Sequence, residues 1–515
     1  MAQPLKKSFS RGAAHDHQVD QPQILSLAYL KKGISRIKRK KKNRKRLALY
    51  KNAVSKLSAL NLDPLFAALK PYYSTQGRPA KHQSEIFRSL ILMVDQGEIS
   101  LTRWQAKVDS DNILALMIGC KPGHTPPLGS YYDFIDRLWL RSKSIEHENR
   151  ERLYTFNRKP SGKLSKNKKL PNRNPAVVDK VAKFLLKGRS FDKRPERLVQ
   201  EVFSLIAVVP SLELGLIDTR KRKASGGLTV SGDGTCLHCH SSSRGIKVCD
   251  CRKHGVYDCK CKRRFSDPDA GWGWDSYLGQ YFYGHTLYAV SYHNPILKID
   301  LPLLMRFVGA NRHDSVSGPV ALAELRQLTP ELPIRKVCFD SANDNYPTYR
   351  LLKHWGILPF IDLNHRGGNR PDYASFTVND NGVPACAPGR EMIFNGLCAN
   401  RYRLKWRCPL KCGKRTSKGK ALSCEKMSSC SPSTYGRVVY TKPDWDSRLF
   451  TPVPRDSKEF KDVYKNRTSS ERVNNRILND YNLQNMRIRG KKRFSFFAMV
   501  CGVNIHLDAR LKLAA

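Results

Sequence analysis

The chain has 515 residues, enough for two to four domains and a large buried core. Its 92 Lys and Arg against 44 Asp and Glu leave a formal charge of +48, which points to a polyanionic partner, nucleic acid before any other. No stretch approaches the ~18 apolar residues of a membrane-spanning helix, and residues 1–20 lack the apolar segment of a secretory signal. A soluble, intracellular protein is therefore expected, and with it the 15 cysteines as thiols, core residues or metal ligands.

Residues 1–47 read as a basic, weakly ordered arm. Within it, residues 31–46 (KKGISRIKRKKKNRKR) hold eleven basic residues and no acid, so Lys38, Arg39 and Lys40 are expected to contact DNA phosphates. Residues 48–157 read as helical. Ile86, Phe87, Leu90, Ile91 and Val94 recur at helical spacing, with Ser84 as the expected N-cap. A helix over 111–118, a Pro/Gly turn and a second helix over 130–140 capped by Ser130 have the outline of a helix-turn-helix reader of the major groove, though a bundle with one broken connection has the same pattern. Residues 158–175 are a basic linker of Pro, Gly, Ser, Asn and Lys.

The remainder, 176–515, begins with helical periodicity to 218 and then changes character. Short apolar runs at 228–231, 286–291, 301–308, 335–339 and 357–361 read as strands, with helices over 316–328 and 346–354 between them, so an α/β sheet is expected. Asp233 falls just past the first of these strands and Asp340 at the end of the fourth, where α/β sheets assemble their sites. Residues 455–489 hold neither Gly nor Pro and read as one long helix, which sets Tyr464, Arg467 and Glu471 on one face at i, i+3 and i+7. Acids gathered at one point repel, and divalent cations remove that repulsion. Two Mg²⁺ or Mn²⁺ ions about 3.5–4 Å apart activate a water or a 3′-hydroxyl and stabilise the oxygen leaving a phosphodiester.

Two cysteine clusters interrupt this region. The first, at 236–261, contains Cys236, Cys239, Cys249, Cys251, Cys259 and Cys261 with His238, His240 and His254 among them. Thiolates at this spacing suit tetrahedral zinc, and Cys249, Cys251, Cys259 and Cys261 are a candidate set. The second includes Cys408, Cys412, Cys424 and Cys430, a candidate Cys₄ site in the long interval between Asp340 and Glu471. Insertions are accordingly expected at 236–275 and about 365–455. Zinc with four protein ligands has no open position for a substrate, so both sites are expected to be structural. Trp272 and Trp274 are expected as core or loop anchors rather than base-stacking platforms.

Taken together, SGDGT at 231–235, CFDSANDN at 338–345 and YKNRTSSER at 464–472 resemble the motifs of bacterial insertion-sequence DDE transposases. The family's last motif runs Tyr, two residues, Arg, three residues, Glu, six residues, Lys; Tyr464, Arg467 and Glu471 match, whereas Leu478 stands where the Lys is expected and Arg476 lies nearby. ANRHDS at 310–315 and the helical segments around 77–93 and 126–139 resemble further family elements in the same order. The resemblance implies an α/β ribonuclease H-like catalytic domain with a Cys-rich insertion, preceded by a mainly helical DNA-binding region. It implies a metal-binding triad of Asp233, Asp340 and Glu471, and contacts from Tyr464 and Arg467, with Arg476 in the place of the Lys, to the transposon end. The implied reaction is cleavage at the terminal repeats followed by strand transfer into target DNA, carried out by a homodimer on double-stranded DNA, in the cytoplasm at the nucleoid. The alternative is a domesticated or decayed relative that binds DNA without cutting it. His313 and Asp314 are expected as a structural pair orienting a loop.

Overall fold

A computed structural model describes residues 32, 35, 41–74, 76, 80–153, 176–191, 194–219, 227–364, 376–413, 422–426 and 430–514. The expected DNA contacts Lys38, Arg39 and Lys40 and the 158–175 linker lie outside the described residues.

The N-terminal part is helical: α1 (Lys41–Leu49), α2 (Lys51–Ala59), α3 (Asp63–Leu69), α4 (Gln83–Asp95), α5 (Leu101–Ser110), α6 (Asn112–Ile118), α7 (Leu128–Arg137) and α8 (Lys143–Arg150). Two of the caps differ from expectation, at α4 and α7. His82, in the left-handed region at φ 62°, precedes α4 in place of Ser84. Asp111 caps α6 by accepting the Ile113 amide, and α7 starts after Pro127, ahead of Ser130. Ile113, Leu114, Ala115, Met117 and Ile118 are all buried, so α6 is a core element with little free face to lay on a groove. Helices α9 (Val177–Leu186), α10 (Arg197–Phe203) and α11 (Val209–Glu213) follow, the last two joined by a π turn over Ser204–Val208.

The central sheet is built from β2 (Leu228–His238), β6 (Gln280–Asn294), β7 (Ile299–Gly309), β8 (Ile334–Phe339) and β9 (Leu358–Ile361). Their order is β7-β6-β2-β8-β9, with β6 antiparallel to both neighbours and β8 and β9 parallel to β2. The two parallel connections need crossovers, which α12 (Asp314–Leu328) and α13 (Tyr346–His354) supply. The five apolar runs in the sequence all fall on strands of this sheet, Ile357 alone standing one residue ahead of β9, although β2 and β6 extend well beyond theirs. The fold class is thus mixed α/β with several sheets.

Three smaller sheets accompany the central one, the shortest a pairing of β10 (Thr377–Val378) with β11 (Pro384–Ala385). β1 (Glu151–Leu153), β3 (Ile246–Lys247) and β4 (Lys262–Arg264) form one around the first cysteine cluster. The second cluster lies beside β12 (Ile393–Cys398), β13 (Arg403–Arg407) and β14 (Val438–Thr441), whose small core includes Leu404, Trp406, Val439 and Phe450. The expected 455–489 helix is broken. It comprises α14 (Lys458–Tyr464), a 3₁₀ turn Lys465–Arg467, α15 (Thr468–Asn475) and a π turn Arg476–Asp480, and it ends before Asn482 at φ 57°.

Helix α16 (Lys491–Ala514) is buried on every side from Phe494 to Leu507 and packs among the others. Its buried polar groups fasten the parts together. Asn504 donates to the Ile91 carbonyl on α4, His506 bonds the Pro302 carbonyl on β7 and the Ser211 hydroxyl on α11, and Arg510 donates to the Ile206 and Ala207 carbonyls. Burial pushes the His506 imidazole down to about 3, so the ring is neutral in these bonds. One apolar core runs from Leu47 through the sheet to Ala509, so the helical region and the sheet share an interior.

Candidate metal centre

Asp233 sits inside β2, not just past it, because β2 continues to His238 along β6. The parallel pairing of β2 with β8 ends at Ser231 opposite Cys338. Two residues further on each strand come Asp233 and Asp340, so the register itself sets these two acids side by side, about one strand spacing (~4.8 Å) apart.

A third acid joins them. Asp314 opens α12, whose N-cap His313 accepts the Ser315 amide at Nδ1. It reaches the site over Gly234, where any Cβ would lie 2.5 Å from the Asp314 Oδ1. Gly234 is therefore needed for close approach. Asp233, Asp314 and Asp340 each offer an oxygen within 4.8 Å of the others. Burial, reinforced by the neighbouring acids, pushes the carboxyls of Asp233 and Asp314 up to about 7. The Asn343 side chain donates to Asp340 at 3.1 Å, and the buried Tyr288 phenol is pushed well up by its own burial and by the acids around it. Carboxylates held together against their repulsion, with oxygens turned to one point, form a donor set for hard divalent cations. Asp314, read from the sequence as a loop orienter, thus belongs to the cluster. Its signal was its position just before a helix between the two strand acids.

Glu471 is close but not in this set. It lies on α15, which Ser469 anchors to β6 through Ser291 at 3.0 Å and Arg472 anchors to Asp300 at the start of β7. Its carboxylate is ion-paired with Arg467, whose other amino group stands 3.9 Å from Asp233. A guanidinium therefore occupies the space between Glu471 and the three aspartates. Tyr464 stacks on Phe460 at 5.4 Å, and burial pushes its phenol up. Tyr464 and Arg467, with Lys461 and Lys465, line an open cleft of about 440 Å³ beside the acids. Arg476 points elsewhere: its guanidinium bonds Asp508 at 2.6 Å and lies 3.6 Å from Asp480, so it is not free for the role expected of it.

The first cysteine cluster contains a second donor set. The sulfurs of Cys249, Cys251, Cys259 and Cys261 converge within 4.8 Å, at 3.5 Å for Cys249 to Cys259 and 3.6 Å for Cys251 to Cys261. Four thiolates so placed fit one tetrahedral metal ion, and nothing in the geometry fixes which. Cys239 lies apart, against Asp267, while His238 bonds Asp275 and stacks on Phe282. Among the described residues Cys408, Cys412, Cys424 and Cys430 do not converge in this way. Instead Cys408, Cys424 and Cys430 line a small cavity of about 30 Å³ with Cys386, which comes from the Cys-Ala-Pro-Gly turn after β11 (Pro384–Ala385), while Cys412 is outside it. That turn is too far upstream for a spacing argument to have included it.

No helix among the described residues is long and apolar enough to cross a membrane. No family model matches the sequence, and no curated protein matches it.

Proposed function

We propose that the protein is a DDE-type transposase that cleaves and joins DNA strands with divalent cations, on a ribonuclease H-like catalytic sheet. The single observation that carries the reading is the convergence of Asp233, Asp314 and Asp340 beyond the end of β8. The sheet order, with one antiparallel pair of strands on one side of β2 and two parallel strands on the other, supports the fold assignment. The charge of +48 supports a nucleic-acid substrate.

In this reading Asp233, Asp314 and Asp340 hold the cations. Bound there, they would lower the pKa of an attacking water or 3′-hydroxyl and neutralise the leaving oxygen. The aspartates orient the reacting phosphodiester by fixing where that charge sits. Arg467 and Tyr464 face a cleft that adjoins the acids through Arg467, 3.9 Å from Asp233, and a strand lying there would find positive charge for its phosphates in Arg467 and Lys461. When a DNA phosphate takes the Arg467 guanidinium, Glu471 is released toward the cluster, so the fourth acid enters only with substrate bound. Cleavage frees a 3′-hydroxyl, and the same acids then serve its attack on target DNA. Zinc at the four gathered thiolates would brace the module beside β2 and take no part in the chemistry.

The test is nicking of supercoiled plasmid carrying the DNA that flanks the coding sequence, in Mg²⁺ or Mn²⁺. The parent protein should nick, and Asp233→Ala and Asp340→Ala should not. Nicking that survives both substitutions, or none by the parent in either metal, would overturn the proposal.

A further inference from the structure

The hairpin of β5 (Gly271–Asp275) and β6 runs past the end of β2 and carries a ladder of aromatic rings. Trp272 pairs with Tyr283 and Trp274 with Tyr281, their rings 5.6 and 4.9 Å apart. The opposite face of the hairpin is pressed onto the protein. A Cβ on Gly271 would lie 2.7 Å from Asn311 and one on Gly273 2.7 Å from the Ala310 carbonyl, while Phe282 is buried against His238. The backbone is thereby clamped and the rings are left bare: Trp272, Trp274 and Tyr281 are 55%, 54% and 72% exposed. Of the two roles expected of these tryptophans, core or loop anchors, burial in a core does not hold. Exposed aromatic surface on a rigid support marks a binding site.

A second observation indicates the partner. Three residues before Trp272, Asp269 forms part of the wall of a cleft of about 530 Å³ whose other walls include Arg141, Lys143, Arg150, Arg489 and Arg493. Arg150 and Arg489 are exposed and have no acidic partner among the described residues. Phe494, next to Arg493, packs on His285 at 5.9 Å. His285, Tyr283 and Tyr281 alternate onto one face of β6, and so does Ala289, the partner of Asp233. Asp233, the basic cleft and the ladder therefore share one face of the sheet, whereas Asp314 meets Asp233 from the other side, over Gly234. The six steps from Ala289 to Tyr283 span about 20 Å, or roughly six base pairs of duplex.

We infer that the cleft and the ladder form one binding surface for a DNA end with unpaired bases. The cleft's cations hold phosphates, and the tryptophans and tyrosines stack on bases freed from the helix. In a duplex the π-faces are covered by neighbouring pairs, so only an unpaired or terminal base presents one to a ring. Stacking is tolerant of sequence, as a surface of rings without paired polar groups requires. A second copy of this chain would bring another +48 to the same cleft, which argues against it as the occupant. The position of the ladder relative to the cut rests on the proposed cleavage site; the binding itself does not.

The experiment is fluorescence anisotropy in EDTA, so that no strand is cut, with a blunt duplex and the same duplex carrying a short unpaired tail. The full-length protein should prefer the tailed probe. Trp272→Ala/Trp274→Ala should weaken tailed binding about fivefold or more and blunt binding, which offers only its terminal pair, distinctly less, while Trp272→Phe/Trp274→Phe keeps the preference. Arg489→Ala/Arg493→Ala should weaken both probes and flatten the salt dependence. Equal affinity of the parent for both probes, or a preference untouched by the alanine pair, would overturn the inference. So would an alanine pair that turns a dimer into a monomer while leaving tailed binding intact, since the surface would then be a protein interface. Preference for the tail in a protein that never nicks would remove the cleavage reading and leave this one standing.

Discussion

Replacing Asp314 with asparagine separates what the acidic cluster does to stability from what it does for metal. Burial and Asp340 hold the Asp314 carboxyl at about 7 instead of 3.8. The move from 3.8 to about 7, at ~1.4 kcal/mol for each tenfold change in proton affinity, sets an upper bound of about 4 kcal/mol on the destabilisation. Asp233 shares the repulsion and solvent screens part of it, and loss of a negative charge in the first turn of α12 offsets about 0.5 kcal/mol, so a net gain of about 2 kcal/mol is expected. The sign follows from proton binding. An acid with a raised folded-state value retains its proton when folded but has lost it when unfolded, so stability falls as pH rises from about 4 to 7 and the loss is complete above that. In EDTA, Asp314→Asn should therefore show a higher urea midpoint than the parent at a pH above this window. The difference should shrink toward the lower end of the window. Adding Mn²⁺ should reverse the order, since the parent gains stability by binding and the variant gains less. A variant less stable than the parent in EDTA above the window, or an equal Mn²⁺ gain in both, would refute the assignment of Asp314 to the cluster.

Gly234→Ala places a methyl group against Asp314 and should weaken Mn²⁺ binding, measured by calorimetry, by about tenfold or more without altering any ligand. Arg467→Ala removes the charge that holds the Asp233 carboxyl down, so the pH at half-maximal Mn²⁺ binding should move upward; a downward move would contradict the electrostatic picture. The same variant should nick DNA poorly even at the shifted pH, because its phosphate contact is gone. Cys251→Ser/Cys261→Ser should lower the zinc content of the purified protein by about one ion per chain, measured by atomic absorption, and an unchanged content would rule out the Cys₄ site.

The strands and the two strand acids were legible because both depend on local pattern. Apolar runs mark buried strands, and an acid two residues past a fixed register must fall beside its counterpart. Asp314 was harder to place, since its approach depends on the missing side chain of Gly234 on another element. For Glu471 the motif gave the helical face but not the rotamer, and Arg467, four residues away, holds it short of the cluster. Counting Gly and Pro could not find the end of the long helix, because Asn482 breaks it from the left-handed region without either residue. Close cysteine spacing found Cys249, Cys251, Cys259 and Cys261, whereas the neighbourhood of Cys408 is completed by a turn that only tertiary packing brings near. The bare tryptophans carry the same local pattern as buried ones; what distinguishes them is the glycine face that clamps the hairpin from behind.

Helix α16 has a consequence for how the molecule is made. Ile91 and its neighbours on α4 receive their polar and apolar partners from residues synthesised about 400 positions later. At 5–20 residues per second, α4 waits roughly 20–80 s on the ribosome before Asn504 emerges. During that interval the nascent chain carries exposed apolar helices beside a strongly basic leader in a compartment full of polyanions. A chain released before α16 would lack the interior that the helical region and the sheet share, so it should be cleared by proteolysis rather than persist beside the finished protein. Expression of a chain ending after Arg489 should accordingly yield aggregated or degraded product, and a soluble, folded fragment would show that the helices hold their own core.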